Sequence, residues 1–117
     1  MAKLFLLKPD FLDKKIDAQT KFYCPYCAMV LGVLNYYPEL KEKLDISFID
    51  FERPRKQIVE LIGEENQGCP NLVISKNEVE GLNDISYLNT YGDYYFINSA
   101  PLIAKYLSAK YNVGTPH

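Results

Sequence analysis

Residues 22–27 read Phe-Tyr-Cys-Pro-Tyr-Cys, and the apolar run 28–34 behind them predicts a helix that begins at this cysteine pair. The reactive form of a cysteine is the thiolate, and a helix N-terminus offers unpaired N–H donors and partial positive charge that favour it. Cys24, at the predicted helix cap, receives most of this effect. Cys27, one turn further on, is spaced to attack a mixed disulfide formed on Cys24. The spacing therefore predicts a redox-active dithiol.

The same cysteine pair is also half of a structural zinc site, which normally needs a second Cys pair or a His pair. The chain offers only Cys69 and a single histidine, His117, as further ligands. We therefore favour a redox dithiol over a metal site, and we predict no metal-ligating residues. Two unreactive thiols are the third interpretation.

Length and composition indicate one domain over residues 1–117. Hydrophobic residues make up 48% and charged residues 24%, as in ordinary globular proteins. A formal charge of −2 without a Lys/Arg cluster argues against nucleic-acid binding, and no apolar segment is long enough to span a membrane. An odd number of cysteines and no export signal predict a reducing, cytoplasmic location.

Hydrophobic periodicity predicts the element order β-α-β-α-β-β-α. The predicted strands are 4–7, 46–51, 71–74 and 94–97, and the predicted helices begin at Pro25, at Arg53-Pro54 and after Ser99. Residues 10–21 are predicted to be a polar connection. Residues 76–93 are turn-rich and carry tyrosines, and we interpret them as an insert.

This order, with Cys24-Pro25-Tyr26-Cys27 after the first strand, resembles the thioredoxin fold, and the tetrapeptide is that of dithiol glutaredoxins. Gly68-Cys69-Pro70 precedes the third strand, where that family carries a cis-proline. Residues 97–100 lead into the last helix as in the segment with which glutaredoxins hold glutathione. The resemblance implies an α/β, thioredoxin-like three-layer sandwich, with a central mixed sheet of about four strands flanked by helices.

Several features depart from a standard glutaredoxin. The connection 10–21 and the link 76–93 are long, and a cysteine before the cis-proline position is uncommon. Residues 37–40 and 63–70, with the Pro-His end, resemble a small bacterial group of uncharacterised thioredoxin-fold proteins. Membership of that group implies the fold without an established activity.

The resemblance implies that Cys24 is the nucleophile and Cys27 the resolving thiol. Lys21 is placed to lower the pKa of Cys24 or to pair with a glutathione carboxylate, but we favour a solvated loop lysine. Tyr26 either contacts the substrate or simply covers the start of the helix.

The resemblance also implies a cis peptide bond before Pro70, against the alternative of a trans proline at a strand start. The backbone of Cys69 would then be free to pair with an extended peptide such as glutathione. Asn98 and Ser99, at the start of the last helix, form a candidate carboxylate site, although Ser99 is also an ordinary helix cap.

Cys69 has three interpretations. It could join Cys24 and Cys27 in a metal or iron–sulfur site, or form an alternative disulfide with Cys24. We favour the third interpretation, in which it is a small buried apolar residue.

These observations predict a glutathione-dependent thiol–disulfide oxidoreductase with no bound cofactor. Glutathione is the expected co-substrate, and disulfide-containing or glutathionylated proteins are the expected partners. The alternatives are a non-catalytic thioredoxin-fold protein that binds a partner through residues 76–93, and a metal-binding thiol site. The sequence leaves open whether the chain forms a homodimer.

Overall fold

A mixed β-sheet forms the centre of the computed structural model, which describes residues 1–117. The chain contains seven strands: β1 (Ala2–Leu7), β2 (Phe11–Asp13), β3 (Asp17–Phe22), β4 (Leu44–Ile49), β5 (Asn71–Ser75), β6 (Asn89–Tyr91) and β7 (Tyr94–Ile97). Its α-helices are α1 (Pro25–Tyr36), α2 (Lys56–Ile62) and α3 (Ala100–Tyr111). Short 3-10 segments occupy Pro38–Glu42, Glu64–Asn66 and Lys76–Val79.

The central sheet has five strands in the order β4-β1-β5-β7-β6. Strand β1 pairs with β4 in parallel and with β5 in antiparallel fashion, and β7 is antiparallel to both β5 and β6. The predicted α/β class with a mixed sheet is confirmed, but the prediction of about four strands is wrong. The additional strand, β6, is three exposed residues joined to β7 through Gly92, whose φ is 53°. A strand this short and exposed has no alternation of apolar and polar residues, which is the pattern that identifies a strand in a sequence.

Residues 10–21 are not the polar connection that the sequence predicted. Strands β2 and β3 pair with each other as an antiparallel hairpin outside the central sheet. Five of the six residues of β3 are exposed, so the strand has no buried face and no apolar alternation to reveal it.

The helices begin and end where local chemistry favours it. Pro25 occupies the first turn of α1, where its missing N–H costs nothing, and Pro38 follows the end of that helix. Helix α2 begins at Lys56 rather than at Arg53, and it ends at Gly63, whose φ of 87° favours glycine. Ser99 caps α3 as predicted, because its hydroxyl accepts a hydrogen bond of 3.5 Å from the N–H of Leu102.

Both faces of the central strand β1 are covered. Lys3 and Phe5 line a surface pocket together with residues of α2, so α2 packs on that face. Leu4 and Leu6 point the other way and are completely buried. Helices α1 and α3 contact each other, and they contribute Leu34 and Ile103 to the hydrophobic core that contains Leu4 and Leu6. The N-terminus of α1 is thereby placed at the end of β1 where Leu7 lies.

Candidate functional site

Cys24 occupies the N-cap of α1 with an extended backbone conformation, φ −82° and ψ 109°. Its Sγ accepts a hydrogen bond of 3.1 Å from the backbone N–H of Cys27. The same sulfur lies 3.7 Å from the carbonyl oxygen of Cys69, within reach of a weak S–H donation. The side chain is only half-buried. Cys24 is therefore a partly accessible thiol in contact with one backbone N–H in the first turn of α1.

Cys27 is the interior member of the pair, with 2% of its surface exposed. Its Sγ accepts a hydrogen bond of 3.5 Å from the N–H of Leu7 at the end of β1. Burial, followed by the contact with Cys24, raises the pKa of Cys27 to about 12. At neutral pH this sulfur is a protonated thiol.

The loop that presents Cys69 and Pro70 to Cys24 is held by side-chain hydrogen bonds. The buried Asn71 donates from Nδ2 to the carbonyl oxygens of Asn66 and Gly68, both at 3.0 Å. The Cys69–Pro70 peptide bond is cis, as the resemblance implied. The carbonyl oxygen of Cys69 faces the Sγ of Cys24 at 3.7 Å.

Cys69 itself is half-buried and packs against the core. Burial raises its pKa to about 11, while the neighbouring guanidinium of Arg55 acts in the opposite direction. The structure contains no group of three or more His, Cys, Asp or Glu side chains arranged to hold a metal ion.

A cavity of about 220 Å³, which we call the α3 cavity, lies between the Cys69-Pro70 segment and the start of α3, next to Tyr26 of the dithiol motif. It is lined by Tyr26, Cys69, Pro70, Asn98, Ser99, Ala100 and Pro101. The structure therefore brings together all but one of the binding residues predicted from the sequence. The exception is Lys21, which is exposed on β3 and does not line this cavity.

A second concavity, of about 380 Å³, opens between the β2–β3 hairpin and the dithiol, and we call it the hairpin groove. Cys24 and Cys69 line it together with Phe11, Phe22, Phe51, Arg53 and Arg55. Sequence analysis missed this groove, because residues 10–21 were predicted to be a polar connection rather than a hairpin. Phe11 and Phe22, which flank a polar stretch, are the sequence feature that could have indicated the hairpin and its groove.

The insert 76–93 lies away from the dithiol. Its strand β6 forms the sheet edge beside β7, and Tyr91 packs over Gly63 at the end of α2. Lys105 of α3 lies 4.4 Å from the ring centroid of Tyr87 and pairs with Asp84 at 3.6 Å. No residue of the insert lines either the α3 cavity or the hairpin groove.

The fold and the site define an α/β protein with a Cys-x-x-Cys dithiol at the N-terminus of a helix that packs on a mixed sheet. The chain belongs to the family described as "Protein of unknown function (DUF3088)", whose model matches residues 1–115. The expected membership of an uncharacterised family is confirmed. No curated protein and no solved structure matches the chain. None of its helices combines the length and the apolar character needed to cross a membrane.

Proposed function

We propose that this protein is a glutathione-dependent thiol–disulfide oxidoreductase built on a thioredoxin-like fold. The observation that carries the proposal is the asymmetry of the dithiol. Cys24 is half-exposed at the N-cap of α1, and its sulfur accepts a hydrogen bond from the backbone N–H of Cys27. The sulfur of Cys27 is buried. An attacking thiol needs access and stabilisation of its anion, and a resolving thiol needs only proximity.

In the proposed reaction the Cys24 thiolate attacks the glutathione sulfur of a glutathionylated protein. A bond forms between Cys24 and glutathione, the original S–S bond breaks, and the released protein thiolate takes a proton from water. A glutathione thiolate then attacks this mixed disulfide, which releases oxidised glutathione and regenerates the Cys24 thiolate. With a protein disulfide as substrate, the Cys24 thiolate attacks one of its sulfurs, and a mixed disulfide forms as the first protein thiolate leaves and takes a proton from water. Cys27 then loses its proton to water and attacks the Cys24 sulfur, which releases the second protein thiolate and leaves a Cys24–Cys27 disulfide. Two glutathione molecules reduce this disulfide and become one molecule of oxidised glutathione.

The α3 cavity is the proposed site for glutathione. Its lining combines the backbone of Cys69, which can pair with an extended peptide, with Asn98 and the Ser99 cap of the 12-residue helix α3. A carboxylate of the tripeptide would accept hydrogen bonds there. Tyr26, with 59% of its surface exposed, would cover the bound peptide.

The physiological partners in this proposal are glutathionylated or disulfide-bonded proteins of a reducing compartment such as the cytoplasm, since glutathione is the reductant. Glutathione is a co-substrate here rather than a bound cofactor.

Deglutathionylation of a glutathionylated model peptide, with glutathione as reductant, tests the assignment. We expect Cys24→Ser to abolish turnover, because no other thiol is both accessible and at the helix cap. The Cys27→Ser variant is the matched control. It should keep turnover on this substrate, lose activity on protein disulfides, and accumulate a glutathione adduct at Cys24 that mass spectrometry detects. Unchanged turnover in Cys24→Ser would refute the proposal.

A further inference from the structure

The hairpin groove contains a buried positive charge that no acidic residue of the chain neutralises. Arg55 is 6% exposed, and its guanidinium donates to the carbonyl oxygens of Phe51 and Gln67 at 2.6–3.1 Å. The four ion pairs of the structure all involve other residues. The carbonyl groups satisfy the N–H donors of the guanidinium but do not neutralise its positive charge. A buried charge costs free energy unless an opposite charge pairs with it.

A second arginine adds to this charge at the rim of the groove. Arg53 is exposed and takes part in none of the ion pairs. The one carboxylate among the lining residues is Asp13, whose Oδ1 accepts the N–H of Lys15 at 3.1 Å in the hairpin turn. Two arginines against one aspartate make the groove locally positive in a chain of net charge −2.

Aromatic side chains also line the groove, and the guanidinium carbon of Arg55 lies 5.5 Å from the ring centroid of Phe51. The rings of Phe11 and Phe51 stack with centroids 4.4 Å apart and planes 4° apart, and Phe22 follows at 6.3 Å from Phe11. Ile16 and Tyr23, which also line the groove, expose 72% and 64% of their surfaces. Large apolar side chains left exposed around a concave surface are typical of a contact site.

The α3 cavity and the hairpin groove meet at Cys69, which lines both. Cys24 lines the groove, and its Sγ lies 3.7 Å from the carbonyl oxygen of Cys69, the residue that borders both concavities. A disulfide under attack at this sulfur can therefore extend one half towards each concavity. If glutathione occupies the α3 cavity, the other half of the substrate extends into the groove.

We infer that the hairpin groove binds the protein half of the disulfide substrate, and that it selects a cysteine flanked by an acidic residue and a large apolar residue. This inference rests on the proposed function. The acidic side chain would pair with Arg53 and face the uncompensated charge of Arg55, while the apolar side chain packs on Phe11 and Phe22. The covalent step is the one given above, in which the protein thiolate leaves and is protonated by water.

Two glutathionylated peptides of equal length test the selection. One carries Asp and Phe next to its cysteine, and the other carries Lys and Ala. We expect the wild-type protein to deglutathionylate the first with a kcat/KM higher by about fivefold or more, from one exposed ion pair plus burial of one ring.

Arg53→Glu should remove or reverse this preference without affecting the fold, because Arg53 is exposed and unpaired. Lys14→Glu is the matched control, because it makes the same change of charge at an exposed residue of the hairpin that does not line the groove. This variant should keep the wild-type preference. If Lys14→Glu removes the preference as fully as Arg53→Glu does, the preference arises from long-range electrostatic attraction and not from binding in the groove. That result would overturn the inference.

The same peptides with serine in place of cysteine cannot react, and their affinity by calorimetry separates the two proposals. Equal rates on both reactive peptides, with equal affinities for both serine peptides, would overturn the inference and leave the oxidoreductase in place. Selective binding without turnover would support the groove and remove the oxidoreductase. Absence of both binding and turnover would reject both.

Discussion

The backbone N–H of Cys27 donates a hydrogen bond of 3.1 Å to the sulfur of Cys24, whereas the sulfur of Cys27 lies against the N–H of Leu7. The two thiols of the motif thus have opposite environments although they are three residues apart. One caps a helix at the surface, and the other belongs to the core. We expect this contrast to make the two sulfurs react at different rates.

Alkylation should therefore be selective. We expect iodoacetamide at pH 7.5 to modify Cys24 at least about tenfold faster than Cys27 or Cys69, because burial raises the pKa values of the latter two to about 12 and about 11. Peptide mapping by mass spectrometry over a time course measures the three rates. Equal labelling of Cys24 and Cys27 in the folded protein would contradict the structure.

Stability should fall in alkaline solution, in part through Cys69. Its folded pKa of about 11 lies above the value of about 8.5 for a free thiol, so folding favours the protonated form. This contribution is complete below about pH 8.5 and is lost as the pH rises towards 11. Urea unfolding of the reduced protein at pH 7 and pH 10 measures it. The stability advantage of wild type over Cys69→Ala should shrink between these values, and an advantage that grows would contradict the assignment.

Gly63 should not tolerate a side chain. Its φ is 87°, and an added Cβ would lie 2.8 Å from the hydroxyl oxygen of Tyr91. We expect Gly63→Ala to lower the free energy of unfolding by more than about 1 kcal/mol. Gly32→Ala is the control, because Gly32 is exposed inside α1 with no atom within 4 Å of the new Cβ. It should raise stability by up to about 1 kcal/mol. Urea denaturation distinguishes the two, and equal effects would refute the packing of Tyr91.

Ser99 has a structural role and a proposed binding role that substitution can separate. Ser99→Ala should cost about 1 kcal/mol of stability, because the cap to Leu102 is lost. Ser99→Asp should keep the cap and the stability, since aspartate is an equally good N-cap, but its charge should repel a glutathione carboxylate and raise the KM for glutathione. Thermal unfolding and steady-state kinetics provide the two measurements. An unchanged KM in Ser99→Asp would place the glutathione carboxylate elsewhere.

Much of the fold was predictable because its core elements carry strong local signals. The buried strand at 4–7, the helix that starts at Pro25 and the serine cap of α3 all follow from apolar periodicity and capping chemistry. The β2–β3 hairpin and β6 were not found. Their residues are exposed on most sides, so their pairing leaves no hydrophobic pattern to detect.

The sequence by itself determined the dithiol at the start of a helix, since two cysteines around Pro25 and an apolar run are local features. Only the tertiary structure decided what surrounds that dithiol. Residues from β3 and the loop after β4 meet around Cys24 and Cys69, and the start of α3 reaches Cys69 from the other side. Arg55 is buried beside Cys69 without an acidic partner. Such neighbours are far apart along the chain and are brought together by the burial of side chains on both faces of the sheet. Hydrophobic periodicity along the sequence therefore does not predict which of these residues lie close together.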